Sequence, residues 1–182
     1  MLQYNKKLSK RGARKFLTKV FVESCEHKLL KWFNEFKKEF NKGKPLYLPD
    51  ILTVSNRMSK SGGYFSYNHK NKTTSIKISM KHWEAFGDKE VKDTLQHEMV
   101  HFWEWINFRK VGHGKNFLDM AKHVGASRHC SKLPTKMFKH VYVCPNCKYE
   151  VGTNKRYIRR HSCYFCSQGK FNSKFEMNLK EE

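Results

Sequence analysis

One five-residue segment, His97-Glu98-Met99-Val100-His101, constrains the fold of this chain more than any other. Two histidines four residues apart lie one turn apart on the same face of an α-helix, so both imidazoles can reach one Zn²⁺ ion. The glutamate between them can accept a proton from a water molecule at that metal. The segment therefore predicts a metal-binding helix and favours a zinc-dependent hydrolase, most often a peptidase.

The sequence around the motif has the pattern of an amphipathic helix. No Pro or Gly occurs from Asp88 to Phe108, and Asp88 follows Gly87 as a candidate N-cap. Apolar side chains recur at helical spacing and define one core-facing stripe: Val91, Leu95, Met99, Phe102 and Ile106. Both histidines lie more than about 100° from the centre of that stripe. Because core histidines would more often fall inside the stripe, this placement favours a metal site over a chance occurrence of the motif.

A catalytic zinc ion needs a third protein ligand and an open position for water. Four residues beyond the motif are candidates for that ligand: Glu104, His113, Asp119 and His123. Glu104 shares the face of the histidines but lies about 10 Å of helix rise beyond His97, so one ion could hardly bind all three on a straight helix. His113 is flanked by glycines, which permit a sharp return of the backbone to the metal. We favour His113 over His123, for which a surface histidine on a short helix is the simpler interpretation.

Several of these residues carry a family resemblance. The run from Asp93 to His101 (DTLQHEMVH), followed by Gly112-His113-Gly114 and Phe117, resembles the SprT family, which includes the DNA-dependent protease Spartan. Upstream, residues 54–64 and 76–79 resemble the strands that precede the family's metal helix. The resemblance covers roughly residues 15–170.

The resemblance implies both a fold and an activity. The implied fold is a zincin-like domain, and the implied activity is cleavage of proteins trapped on DNA. It also implies His97, His101 and His113 as the zinc ligands and Glu98 as the catalytic acid and base.

Two CxxC pairs predict a second metal site. Fifteen residues separate the inner cysteines of Cys144/Cys147 and Cys163/Cys166, which is the spacing of a structural zinc site with four thiolate ligands. Two disulfides are the alternative, but an intracellular chain would disfavour them. His161 could replace a cysteine, although four thiolates already fill the coordination sphere. The pattern therefore indicates a zinc ribbon, and we expect one catalytic and one structural Zn²⁺ ion.

The charge of the chain predicts a polyanionic partner. A formal net charge of +21 far exceeds what solubility requires. Residues 1–44 carry 13 Lys/Arg against 4 Asp/Glu, and residues 130–182 carry 11 against 4. Residues 45–129 carry 13 against 8, so the basic excess lies mainly in the two flanks. We expect both flanks to contact the phosphates of DNA; the alternative is a solvated, lysine-rich surface.

A basic stretch between the two cysteine pairs suits a nucleic-acid strand. Its cations can contact phosphates and its tyrosine can stack on a base, with no side-chain pattern that would read the sequence. The candidate contact residues are Lys155, Arg156, Tyr157, Arg159 and Arg160. The alternative is a basic hairpin tip that contacts nothing.

The sequence contains no apolar run near the length of a membrane span, and its first 19 residues lack the apolar segment of a secretory signal. We expect an intracellular monomer without a membrane partner. It would be cytoplasmic and nucleoid-associated in a bacterium or virus, and nuclear in a eukaryote. Cys25 and Cys130 are then expected to be free thiols.

The apolar patterns predict an α+β fold. Residues 16–40 indicate a helix, residues 46–80 a hairpin or a small antiparallel sheet, and Lys115 to Val124 a short helix. An edge strand of that sheet could bind an extended peptide by strand addition. We expect three segments along the chain: a zincin-like domain with a basic N-terminal helix (1–135), a zinc ribbon (136–170) and a loose tail (171–182).

These features favour metal-assisted peptide hydrolysis of proteins bound or crosslinked to DNA, with Glu98 activating the water. Tyr64 and Arg57 are candidates, by position alone, for the group that stabilises the oxyanion. One rival function is a non-enzymatic zinc-containing DNA-binding protein, in which the helix metal is structural. Glu98 argues against it, because a structural site has no use for that carboxylate. Another rival is a metallopeptidase that acts independently of DNA.

Overall fold

The computed structural model describes residues 10–129 and 131–180, which divide into two compact units between Ser131 and Lys132. The fold class is α+β, as predicted. The N-terminal unit contains a long helix, a three-stranded sheet, the metal-motif helix and a short helix. The C-terminal unit contains a second three-stranded sheet and one helical turn.

Helix α1 (Lys10–Phe36) begins earlier than the predicted helix, and a 3₁₀ turn (Lys37–Glu39) follows it. One face of its C-terminal half is buried in the core, through Cys25, Leu29, Trp32 and Phe33. Aromatic and aliphatic residues at helical spacing produce this face. The part of the predicted basic helix before residue 10 lies outside the described residues. Within the described part of the chain, no helix is both long and apolar enough to cross a membrane.

The first sheet is mixed, so the prediction of an antiparallel sheet is wrong. Strand β3 (Thr73–Ser79) lies between β1 (Ile51–Ser55), which is parallel to it, and β2 (Gly63–Asn68), which is antiparallel. The tight turn after β2 pairs β2 with β3 as a hairpin. The longer connection from β1 to β2 leaves room for β3 to insert between them. After two reversals of direction, β3 runs the same way as β1.

The two outer edges of this sheet have different neighbours. Along the β1 edge, the Glu26 carboxylate of α1 accepts hydrogen bonds from the Val54 backbone N–H (3.3 Å) and from the Thr53 hydroxyl. Along the β2 edge lies the helix that carries the metal motif, and its contacts form part of the site described below.

Helix α2 (Met80–Phe108) begins eight residues before the predicted start. Ser79 is its N-cap, and the helix is kinked at Gly87, whose φ of 75° breaks the helical geometry. Asp88 therefore starts only the second part. Its carboxylate accepts hydrogen bonds from Trp83 Nε1 (2.7 Å) and Lys28 Nζ (2.8 Å).

The core of the N-terminal unit lies between the sheet and the three helices. The predicted stripe of α2 is buried throughout, which confirms that it faces the core: Val91, Leu95, Met99, Phe102 and Ile106. Helix α3 (Lys115–Val124) has the predicted bounds and ends at Gly125 in the left-handed conformation (φ 73°). Its buried face consists of the predicted residues Phe117, Met120, Ala121 and Val124.

The C-terminal unit is an antiparallel sheet of order β5-β4-β6, in which a short turn joins β4 to β5 and a long connection with one helical turn leads from β5 to β6. Its elements are a 3₁₀ turn (Thr135–Met137), β4 (His140–Val143), β5 (Glu150–Thr153), α4 (Tyr164–Ser167), a second 3₁₀ turn (Ser173–Phe175) and β6 (Asn178–Leu179).

The prediction of a loose tail after residue 170 is wrong for the residues that the structure describes. Strand β6 pairs with β4, and Met177 is buried in the small core of this unit. Lys180 adds an ion pair to Glu150 (2.8 Å). A strand of only two residues leaves almost no periodic signal in a sequence, which explains why pattern analysis does not detect it.

Candidate metal centre and catalytic site

Three imidazoles converge at one point of the N-terminal unit. His97 and His101 lie on α2, and His113 lies on the loop between α2 and α3. The Nε2 atom of His97 lies 3.1 Å from that of His101 and 3.2 Å from that of His113. Ligands of a tetrahedral zinc ion at normal Zn–N lengths would be about 3.3 Å apart. The three nitrogens are therefore spaced as zinc ligands are, and His113 is the candidate third ligand that the structure brings to the pair.

The other three candidates for the third ligand lie elsewhere. Glu104 accepts a hydrogen bond from the backbone N–H of Gly112 (2.8 Å) and so fixes the loop that carries His113. Burial raises the pKa of the Glu104 carboxyl, and the Gly112 hydrogen bond opposes that rise. His123 is exposed and its Nε2 pairs with Asn41 Oδ1 (3.0 Å). Asp119 is exposed on α3.

The glycines beside His113 are not what brings it to the metal helix. A Cβ atom added at Gly112 or Gly114 would meet no atom within 4 Å, and neither residue has a positive φ. The loop is held by the Glu104 carboxylate and by the end of α2, where Arg109 adopts a left-handed conformation (φ 55°). The prediction that the flanking glycines return His113 to the metal helix is therefore wrong, although the structure does bring His113 to the pair.

The hydrogen bonding and burial of the histidines prepare them to bind a cation. His97 Nδ1 donates to the backbone carbonyl of Ser127 (2.7 Å), which leaves the Nε2 lone pair directed at the convergence point. Burial lowers the pKa of His97, of His113 and, most strongly, of His101, which falls to about 3. All three rings are thus neutral at physiological pH, the protonation state that metal coordination requires.

Phe117 forms an apolar wall against all three histidines. Its ring is fully buried, and its centroid lies 5.0 Å from the ring of His97 and 4.6 Å from those of His101 and His113. The sequence places Phe117 on the buried face of α3 but does not reveal this contact. Because Phe117 closes one side of the triad, a ligand can approach only from another side.

Glu98 lies next to the triad, and the edge strand holds its carboxylate. Glu98 is 4% exposed, and its Oε2 atom accepts a hydrogen bond from the backbone N–H of Phe65 on β2 (2.7 Å). Burial raises the pKa of Glu98 to about 8, against the opposing effect of the Phe65 hydrogen bond. A carboxyl group with this pKa can both accept and release a proton near neutral pH.

Two glycines allow β2 to lie this close to α2. A Cβ atom at Gly63 would lie 2.7 Å from Glu98 Cγ and 2.8 Å from Thr94 Cγ2, and one at Gly62 would lie 2.8 Å from the His82 ring. The sequence indicates these glycines only as a break between strands. Their role in the close approach depends on which helix packs there, which a local pattern does not contain.

The four cysteines of the C-terminal unit form a second candidate metal site. Their Sγ atoms all lie within 4.8 Å of one another, with 3.8 Å between Cys144 and Cys166 and 3.6 Å between Cys147 and Cys163. A tetrahedral zinc ion with four thiolates would place its sulfurs about 3.8 Å apart. All described cysteines are free thiols, Cys25 among them, and Cys130 lies outside the described residues. The cluster fits a zinc ribbon rather than two disulfides.

The predicted nucleic-acid residues have two kinds of surroundings. Lys155, Arg156 and Arg159 are exposed. In contrast, the ring of Tyr157 stacks on Tyr142 and on His161, at centroid distances of 4.4 and 4.0 Å, and the Arg160 guanidinium pairs with the Glu176 carboxylate. His161 is thus a stacking partner and not a member of the cysteine cluster.

Two exposed aromatic residues between Cys163 and Cys166 were not among the predicted contact residues. Tyr164 and Phe165 are 72% and 65% exposed, and Phe165 contacts Tyr149 edge to face. Together with Tyr157 and His161 they line a cleft of about 320 Å³ within the C-terminal unit. Aromatic residues close in sequence to cations are the signal that could have identified them as candidate DNA contacts. Only the structure shows that these rings share one surface.

Comparison with known proteins places this site in a family. The model of the SprT-like family matches residues 29–139, a range that contains the histidine triad and Glu98 and ends before the cysteine cluster. A protein named SprT-like from a Geobacillus species is 28% identical over 110 residues, covering 57% of this chain and 68% of the relative. SprT-like proteins of Lysinibacillus sphaericus and Bacillus anthracis are each 29% identical, covering 60% and 65% of this chain and 75% and 78% of the relatives. Since the family model matches more than half of its residues, the chain belongs to the SprT-like family.

Proposed function

We propose that this protein is a zinc-dependent endopeptidase of zincin-like fold that cleaves proteins bound or crosslinked to DNA. The observation that carries the proposal is the buried Glu98 carboxylate beside three convergent histidines. Among the described residues, three ligand side chains and not four converge there, so the site has room for water and substrate. A structural metal site would have a fourth protein ligand and no need of Glu98.

Different residues of the chain would bind the metal and transfer the proton. His97, His101 and His113 would hold the zinc ion, which when bound supplies a Lewis acid for the scissile carbonyl. Glu98 accepts a proton from the attacking water and later returns it to the amine of the leaving peptide. The Phe65 N–H holds the Glu98 carboxylate in place through both transfers.

Strand β2 provides a surface for an extended peptide. It lies at the edge of the sheet, and its Phe65 N–H is directed toward Glu98 and not toward β3. A substrate segment that adds alongside β2 would pass next to the catalytic carboxylate. Tyr64 is 58% exposed on this strand and is available for contact with such a segment. This geometry favours unfolded or flexible protein segments, because only they can adopt the extended form.

DNA would bring the enzyme to its substrates. The net charge of +21, the exposed cations Lys155, Arg156 and Arg159 and the exposed rings of Tyr164 and Phe165 support binding to single-stranded regions without sequence specificity. The bacterial sources of the relatives fit a cytoplasmic protein that works at the nucleoid.

The proposal is tested with the full-length, zinc-loaded protein and a DNA-binding protein as substrate, with and without single-stranded DNA. Glu98→Gln is the matched control, because it preserves the size of the side chain and removes the base. We expect cleavage that requires both DNA and Glu98. Cleavage without DNA would support a metallopeptidase that is independent of DNA. Tight DNA binding with no cleavage under any condition would support a non-enzymatic binding protein.

A further inference from the structure

We propose that the imidazole of His129 donates a hydrogen bond to the oxyanion that forms at the scissile carbonyl. This inference rests on the proposed peptidase function. It assigns a catalytic role to a segment outside the metal motif that the sequence patterns did not single out.

The segment that carries His129 is held against the metal-motif helix by hydrogen bonds. After α3, the N–H of Ala126 donates to the carbonyl of Ala121 (2.8 Å). The carbonyl of the next residue, Ser127, accepts the hydrogen bond of His97 Nδ1 (2.7 Å). His129 follows only two residues later. The position of its backbone is therefore set by the same contact that orients a metal ligand.

His129 lies beside His113, the exposed member of the triad. Its ring centroid is 6.0 Å from that of His113, and both residues are exposed. His97, His101 and Phe117 are buried. A substrate must reach the triad from solvent, and His129 is exposed next to the one histidine of the triad that is itself exposed.

His129 is not a fourth ligand in this arrangement. Within the described part of the chain, the only histidines whose nitrogens converge with one another are His97, His101 and His113. We therefore place His129 beside the substrate and not at the metal.

The proposed step leaves His129 chemically unchanged. Water adds to the carbonyl carbon while its proton passes to Glu98, and the carbonyl π electrons move onto oxygen. The His129 N–H donates a hydrogen bond to that oxygen without transferring its proton. Collapse restores the carbonyl and breaks the C–N bond, and Glu98 returns the proton to the leaving nitrogen.

The test compares His129→Ala and His129→Gln with His123→Ala in the full-length, zinc-loaded protein. His123 is an exposed histidine of α3 whose partner is Asn41, so it controls for the loss of a surface imidazole. We expect His129→Ala to lower kcat by about 10²–10³-fold, with little change in KM or zinc stoichiometry. His129→Gln, which retains an N–H donor, should recover part of the loss, and His123→Ala should match the wild type.

A binding measurement separates this role from others. A phosphinic peptide, which mimics the tetrahedral intermediate, should bind His129→Ala much more weakly than the wild type, whereas its zinc affinity should be unchanged. Loss of zinc from His129→Ala would make His129 a ligand and overturn the inference. Wild-type kcat in His129→Ala would overturn it as well, while leaving the proposed function intact. Absence of cleavage by the wild type itself would overturn the proposed function, and the role of His129 with it.

Discussion

The Oε2 atom of Glu98 lies 2.7 Å from the backbone nitrogen of Phe65, and this hydrogen bond connects the edge strand of the sheet to the metal-motif helix. Under the proposed function, it holds the Glu98 carboxylate beside the place where an added peptide strand would lie. The approach of the two elements depends on Gly63, because any side chain there would collide with Glu98.

Replacing Gly63 with Ala should therefore impair both folding and activity. The new Cβ atom would lie 2.7 Å from Glu98 Cγ, so β2 or the glutamate must move. Overpacking of this kind costs about 1–3 kcal/mol of folding free energy. We expect a lower midpoint of thermal unfolding and a large fall in kcat. Gly112→Ala is the control, since nothing lies within 4 Å of its Cβ position. Wild-type activity in Gly63→Ala would show that Glu98 does not need this contact.

Glu104→Ala should weaken zinc binding at the histidine site. Glu104 holds the N–H of Gly112, next to the ligand His113, so its loss frees the loop. Hydrogen bonds that hold a metal-binding side chain in place typically contribute about 10–100-fold to metal affinity, which is roughly the loss we expect in a competition titration with a chelator. Glu104→Gln keeps an acceptor oxygen and should stay close to wild type. Equal zinc affinity in Glu104→Ala and wild type would contradict this role.

The stability of the metal-free protein should fall as pH rises toward 8. Burial raises the folded-state pKa of Glu98 from 4.5 to about 8, so the folded state retains a proton that the unfolded state has released. The contribution of Glu98 to stability is then greatest below pH 4.5 and decreases between about 4.5 and 8, by about 1.4 kcal/mol per unit of pKa difference. The histidines act oppositely, because their folded-state pKa values are lowered from 6.5, and their contribution is complete above that pH.

In the window from about pH 6.5 to 8 the histidines no longer titrate, but the Cys144 thiol, whose pKa is lowered to about 7, still does. The contribution of Glu98 is therefore the difference between the wild type and Glu98→Gln in urea unfolding of the metal-free protein, and the stability of the wild type relative to Glu98→Gln should decrease across this window. Parallel curves for the two proteins would show that Glu98 is ionised in the folded state throughout.

Cys163→Ser should remove one zinc ion and disrupt the C-terminal unit. Cys163 is almost fully buried within the four-thiolate cluster, and a unit this small depends on its metal. Elemental analysis should give one bound zinc ion fewer than in the wild type, with the histidine site still loaded. Cys25→Ser is the control, because Cys25 lies in the N-terminal core, outside the cluster. An unchanged zinc content in Cys163→Ser would contradict a ribbon held by four cysteines.

Arg159→Ala and Arg160→Ala should differ in their effect on single-stranded DNA binding. Arg159 is exposed, whereas Arg160 is paired with Glu176. We expect Arg159→Ala to reduce the slope of log K against log salt concentration by about 0.7, as for one lost phosphate contact. Arg160→Ala should have the smaller effect, measured by fluorescence anisotropy at several salt concentrations. Equal slopes for both variants would show that the pairing does not matter.

The exposed rings of Tyr164 and Phe165 give a separate prediction. Tyr164→Ala should weaken binding of single-stranded DNA by about 1–3 kcal/mol, the usual contribution of one stacked base. The salt dependence should stay unchanged, because no charge is removed. Leu118→Ala, which removes an exposed apolar side chain from α3, is the control. Wild-type affinity in Tyr164→Ala would exclude this ring from the DNA contact.

Sequence patterns predicted the parts of the site that depend on local spacing. The histidine pair, Glu98 and the buried stripe of α2 follow from the 3.6-residue period of one helix, and the four cysteines follow from their spacing. The period also gave the bounds of α3. These features can be predicted without knowing which other elements pack against them.

Contacts between distant segments were not predictable in this way. The order β1-β3-β2 depends on how the chain crosses the sheet. The burial of Met177 depends on a strand of only two residues. Glu104 looked like a possible ligand because it shares a face with the histidines, yet it fixes a loop eight residues away. Tyr157 looked available to stack on a base, but Tyr142 and His161 already stack on it. In each case the partner, and not the residue type, decides the role.

The hydrogen bond from Val54 to Glu26 has a consequence for the behaviour of the protein in concentrated solution. Unpaired strand edges are where sheets of separate molecules join and aggregate. Helix α1 lies along the β1 edge and engages one of its amides, and Glu98 of α2 engages the Phe65 amide on the β2 edge. A carboxylate therefore limits intermolecular pairing at each edge, and under the proposed function the remaining amides of β2 receive the substrate. A chain that loses Glu26 would become more prone to form intermolecular β-structure without any change in its catalytic residues.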